Sequence, residues 1–179
     1  MSWRNRIEGA CCRFAAIGVL SIALAGCFQP IYGELPVGGG PSLREVLRDV
    51  EIAEIDGRIG QEIRNDIIFE LTGGGGNPVG APFRLSLSVS SSSSPSSIID
   101  PRTGVSQVDF VAVNVRYYLF DVAAKKQVLT DSALARVSVD RSLQRFARVR
   151  GVRDAENRAA QAIAQQIRSR LATYFLTRT

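Results

Sequence analysis

The residues with the most specific chemistry stand early in the chain, at Leu24-Ala25-Gly26-Cys27. Small side chains ahead of a cysteine suit a signal peptidase, which grips an extended backbone and tolerates little bulk. A thiol at the first position of the processed chain can be alkylated with diacylglycerol before cleavage, and the amine freed afterwards can be acylated. Cys27 is therefore the candidate lipidation site, carrying an S-diacylglycerol and an N-acyl chain. Catalysis has far less to work with. The sequence holds no histidine, which removes the commonest general base, the commonest metal ligand and every imidazole triad. Cys11 and Cys12 fall in the segment that cleavage discards, so Cys27 is the only cysteine left and no internal disulfide can form. No catalytic residue, metal ligand or cofactor is assigned, and the chain is expected not to be an enzyme.

Ahead of the cysteine, Arg4, Arg6 and Arg13 flank or precede an apolar run, Phe14 to Leu24, broken only by Gly18 and Ser21. That is the layout of a secretory signal peptide, and its end resembles a bacterial lipobox. An uncleaved anchor would need about 20 apolar residues, roughly twice this run; ordinary secretion is the other alternative. Phe28 stands where an Asp would retain a lipoprotein in the inner membrane. The expected location is the outer membrane of a diderm bacterium, lipid-anchored and facing the periplasm.

Three segments follow: residues 1–26 as signal, 27–42 as a tether, and 43–179 as a single domain. The tether is rich in Pro30, Pro36, Pro41, Gly33 and Gly38 to Gly40, a density that prevents a helix or a central strand. As a flexible coil it would hold the domain on the order of 20 Å from the lipid. The full chain of 179 residues carries +5; losing Arg4, Arg6 and Arg13 against Glu8 leaves +3. That modest charge suits anionic lipid more than nucleic acid, and no nucleic-acid partner is expected.

Within the domain, Ser42 to Leu47 reads as a short capped turn and Val50, Ile52 and Ile55 as a first strand. Ile59, Ile63, Ile67 and Leu71 recur every four residues, with Ile68 and Phe69 widening the stripe. This predicts an amphipathic helix from Arg58 to Thr72, ended by Gly73 to Gly76. Phe83, Leu85, Leu87 and Val89 alternate with polar residues and predict a strand. Ser90 to Ser94, with Ser96 and Ser97, reads as a low-complexity hairpin extension, and Asp100 to Gly104 as a turn. Further strands are expected over Val105 to Phe120 and Val128 to Val139, joined by a bend at Ala124 to Gln127. Arg141, Arg145, Arg148, Arg150 and Arg153 crowd a connecting segment. The last helix repeats apolar residues from Val152 to Tyr174, with Asp154 at its start and Arg168 and Arg170 near its end, which suits the helix dipole. The order β-α-β-β-β-α predicts an α+β fold: a four-stranded, mainly antiparallel sheet with two helices on one face.

Several chemical motifs fail on their context. Gly73 to Gly76 is not followed by the Gly-Lys-Ser/Thr of a phosphate loop. The serine tract has no partner base. Lys125 and Lys126 sit at a bend, and Asp109, Asp121, Asp131 and Asp140 fall at strand ends with nothing to make them converge. One constellation survives. If odd-numbered strand residues face the helices, Arg84, Arg116 and Arg136 project from the opposite face together with Phe110, Tyr118 and Phe120. Guanidinium forks bind phosphates, which makes the three arginines candidate phosphate contacts; a plain solvated sheet face is the competing reading.

The opening Leu24-Ala25-Gly26-Cys27-Phe28-Gln29-Pro30-Ile31-Tyr32-Gly33 resembles the Cys-Gly-Phe-x-Pro-Leu-Tyr-Gly start of the LptE family of lipopolysaccharide-assembly lipoproteins, in its alphaproteobacterial form. The likeness resumes at Phe146-Ala147-Arg148-Val149-Arg150, then Asp154 to Ala160, Ile163 to Arg168 and Leu171, about a third of the processed chain. The glycine usual after the cysteine is replaced by Phe28. The resemblance implies a subunit that forms a 1:1 heterodimer with the LptD β-barrel, plugs it and assists its assembly, and takes part in delivering lipopolysaccharide to the outer leaflet. A generic envelope lipoprotein scaffold is the main alternative, and a histidine-free periplasmic hydrolase a remote one.

Overall fold

The computed structural model describes residues 40–95, 102, 108–140 and 144–178. The signal peptide, Cys27, nearly all of the tether, Ser96, Ser97 and most of the 100–104 turn lie outside the described residues.

Seven elements follow in order: α1 (Leu43–Arg48), β1 (Val50–Ile52), α2 (Arg58–Thr72), β2 (Phe83–Pro95), β3 (Val108–Asp121), β4 (Lys126–Asp140) and α3 (Arg145–Thr177). The expected fold is present, with a short third helix in front. A capping box explains that helix: the Ser42 hydroxyl accepts from the Glu45 N–H, while the Glu45 carboxylate accepts from the Ser42 N–H. The sheet order is β1-β2-β3-β4. β1 pairs with β2 in parallel, a pairing that requires a crossover, which α2 supplies. The two remaining pairings are antiparallel.

Alternation decides which face is dry. Leu85, Val111, Val113, Val115, Tyr117, Leu119, Ala133, Ala135 and Val139 are buried, all at odd positions and all beneath the helices. From α2 come Ile63, Ile67 and Leu71; from α3 come Ala155, Ala159, Ile163, Ile167 and Leu171. Ion pairs fasten the helix layer. Along α3, Arg148 meets Asp109 at 3.0 Å, Arg168 meets Glu70 at 3.2 Å, Arg170 meets Asp131 at 3.6 Å and Arg178 meets Asp121 at 3.3 Å. Arg58 of α2 also pairs with Glu156. These contacts make α3 run alongside α2 and β3 in the same direction, over about 50 Å for its 33 residues.

Four details correct the sequence reading. The serine tract is not a separate hairpin extension: β2 continues through it, with Ser90 opposite Asn114 and Pro95 opposite Asp109. Pairing to β3 imposes the strand where propensity does not. The arginine-rich segment before Val152 is not a connector, because α3 already begins at Arg145. Asp154 is therefore well inside the helix, where it pairs with Arg158 at 2.9 Å instead of meeting the dipole. Phe69 does not widen the buried stripe of α2; it is largely exposed and stacks over Gly74.

Two glycines have definite roles. Gly73 takes the left-handed conformation (φ 68°) and donates its N–H to the Phe69 carbonyl, closing α2. A Cβ on Gly60 would lie 2.5 Å from Cγ2 of Ile55, so α2 packs onto the β1–α2 loop only because no side chain stands there.

Candidate functional site

The open face of the sheet is built from even-numbered positions, among which short hydroxyl side chains are the commonest kind. Register stacks them in rows: Ser86 beside Tyr118 and Thr130, Ser88 beside Arg116 and Ser132, Ser92 beside Ala112 and Arg136, Ser94 beside Phe110 and Ser138. A register shift between Leu119 and Phe120 skips Val128, so Gln127 rather than Val128 stands opposite Phe120. The result is a hydroxyl-rich surface interrupted by aromatic rings.

Arg84, Arg116 and Arg136 all lie on this face and are exposed. They stand on a diagonal, each four residues along and one strand across from the next, or about 14 Å apart. The structure therefore places them together on one surface without converging them on one phosphate. Their surroundings also differ. Arg84 pairs with Glu51 at 3.0 Å, and the Arg136 guanidinium lies over the Phe110 ring at 5.6 Å. Arg116 stands between serines in register, with no carboxylate paired to it among the described residues. Leu134, 59% exposed in the row with Ser90 and Asn114, is an apolar member of the face that strand alternation could have identified and did not single out.

Sheet edges are guarded unequally. On β1, the Asn77 side chain imitates a neighbouring strand, accepting from the Ile52 N–H at 2.9 Å and donating to the Ile52 carbonyl at 3.1 Å. On β4, Asp131 accepts from the Ser132 N–H at 2.8 Å and Gln166 donates to the Leu134 carbonyl at 3.2 Å. Side chains thus occupy backbone groups that a further strand would use. β1 covers β2 only from Phe83 to Leu85. Beyond that point, among the described residues, no strand lies outside β2.

The carboxylates do not assemble into acid–base pairs. Asp109 and Asp121 stand at opposite ends of β3, and each is held by an arginine of α3 or its cap. The Ala124 N–H, donating at 2.9 Å, and then Arg178 hold Asp121 below the usual carboxylate range. Asp66 on α2 moves the other way: burial, then Glu62 and Glu70, raise it. Burial and the neighbouring Asp131 push the Tyr117 phenol well up. Tyr117 and Arg170 line a cleft of about 330 Å³ between β4 and α3, with Ser132, Gln166, Ser169 and Thr173. Ser169 and Thr173 donate their hydroxyls back to helix carbonyls. The sequence's only lysines, Lys125 and Lys126, stand at the β3–β4 turn and not in this cleft. Among the described residues no cluster of three or more acidic side chains is arranged to hold a metal ion, and no helix is long and apolar enough to cross a membrane.

No family model and no curated protein matches the chain. Among solved structures, a candidate lipoprotein from Caulobacter crescentus CB15 is similar over 75% of this chain and 96% of its own, at 22% identity and a TM-score of 0.62. A minor lipoprotein from Acinetobacter baumannii is similar over 69% and 88%, at 12% identity and a TM-score of 0.51. Rare lipoprotein B from Shewanella oneidensis overlaps more loosely, over 69% and 95%, at 16% identity and a TM-score of 0.46. The first two share the α+β fold of this chain.

Proposed function

We propose that the chain is a non-enzymatic, lipid-anchored lipoprotein of the outer membrane that plugs the LptD β-barrel, assists its assembly and takes part in passing lipopolysaccharide to the outer leaflet. The observation that carries this reading is the lipobox at Cys27, followed by the Phe28-to-Gly33 opening, on a domain with the β-α-β-β-β-α order. The fold is shared with proteins described as lipoproteins, which supports the anchor.

Physically, the domain suits a plug. One face of the sheet is dry and fixed to helices by ion pairs; the other offers hydroxyls, amides and arginines to a polar barrel lumen. Acyl chains on Cys27 would add about 0.8 kcal/mol per buried methylene, and more than one chain gives durable anchoring. A tethered plug is then concentrated near its barrel.

Depletion followed by assay of surface lipopolysaccharide and LptD maturation tests the reading directly. Loss of both is the expected result; normal levels of both overturn it. Gentle detergent extraction should recover a large barrel protein with the chain, whereas a generic scaffold would not. Lipopolysaccharide binding is expected on the open face: replacing Arg84, Arg116 and Arg136 by Glu should weaken it while the fold persists. Unchanged binding would exclude that face.

A further inference from the structure

At the far end of α3, away from α1 and the incoming tether, the first helical turns carry side chains that the domain does not use. Phe146 is 87% exposed and Val149 49%. Arg150 and Arg153 are exposed as well, and no carboxylate among the described residues pairs with either. At about 100° per residue these four positions fall within one stripe. The stripe points away from the sheet, because the opposite side of the same turns packs against it. There Arg148 reaches Asp109, a Cβ on Gly151 would meet Val139 at 3.0 Å, and Ala155 is fully buried.

Neither half of this stripe serves the fold. An aromatic ring left in water gains no burial, and the two arginines add like charge with no carboxylate paired to either among the described residues. Both become favourable against a surface that is anionic outside and apolar a few ångströms deeper. We propose that Phe146, Val149, Arg150 and Arg153 form an interfacial docking site for an anionic phospholipid bilayer. The arginines meet headgroup phosphates and Phe146 enters the acyl boundary. Before it enters the barrel, the domain is held at two points, by the tether at one end and by this stripe at the other, with α3 along the membrane. This inference concerns the helix side of the molecule and is independent of the open sheet face and its proposed lipopolysaccharide contacts.

The test uses the processed chain carrying Cys27→Ser, which has no acyl anchor, in co-sedimentation with phosphatidylglycerol-containing vesicles and with pure phosphatidylcholine vesicles. Binding to the anionic vesicles, falling as salt rises, is expected. Arg150→Ala with Arg153→Ala should weaken it roughly 30-fold, Phe146→Ser roughly tenfold, and Arg150→Lys with Arg153→Lys should retain most of it. Circular dichroism of each variant checks that the helix persists. Equal binding to both vesicle types, no binding to either, or unchanged binding by the alanine variant each overturns the proposal. So does capture by lipopolysaccharide micelles without capture by phosphatidylglycerol.

Discussion

The two ends of the sheet are finished in different ways. At the near end, where α1 and β1 lie, Asn77 closes the outer edge, Arg178 bonds Asp121 and also lies over Phe83, and Phe83 packs edge-on against Phe175. At the far end β2 is a run of serines ending in Pro95, exposed along its length, and α3 carries an unburied Phe146. β2, β3 and β4 pass through both ends, whereas β1 flanks β2 at the near end only. The near end ties its sheet edge and the cap of α3 into the fold, and the far end leaves the serines of β2 and Phe146 outside it.

The sharpest way to break this contrast is paired truncation. Leu119→Ala, in the buried near half of β3, should cost about 2–5 kcal/mol, whereas Ser91→Ala in the far half of β2 should stay within about 0.5 kcal/mol. Urea unfolding of both variants measures the difference, and similar losses would show that the fold depends on the far end as much as on the near one. Arg148→Ala probes the charge contact that covers the buried Asp109 at the far end. It leaves the Asp109 carboxylate without its partner and should cost about 1–3 kcal/mol. Asn77→Ala reopens the β1 edge and should cost about 1–2 kcal/mol, with faster exchange of the Ile52 amide as its local signature.

The smallest effects are those of pH. Asp121 is depressed in the folded state, so its contribution is present above the ordinary carboxylate pKa of about 3.9 and is lost as pH falls through its lower folded value. Asp66 is raised, so its contribution is present below about 3.9 and is lost as pH rises through its folded value. Asp66→Asn should therefore stabilise the protein at neutral pH, by about 0.5 kcal/mol from relieved repulsion along the helix, and change little in acid. Thermal melts across the acid range distinguish the two carboxylates by the opposite signs of their slopes.

What could be read in the sequence follows the same division. The period of two in β3 and the period near four in α2 are written by burial of one face along the length of each element. Ser90 to Ser94 carry no such period, because their strand conformation comes from hydrogen bonds to Asn114 through Phe110 rather than from a buried face. The first turns of α3 were hidden for a related reason: Phe146 and Val149 face water, so the apolar repeat begins only at Val152. The face shared by Arg84, Arg116 and Arg136 was legible from parity alone. Their separation was not, since it depends on strand register and on the irregularity at Val128.

One consequence of α3 lies in the order of synthesis. The helix that covers Val111, Val113, Val115, Tyr117 and Leu119 follows every strand among the described residues, so a nascent polypeptide leaves that part of the sheet uncovered until those 33 residues emerge. Such an intermediate is prone to aggregate until α3 arrives to cover it.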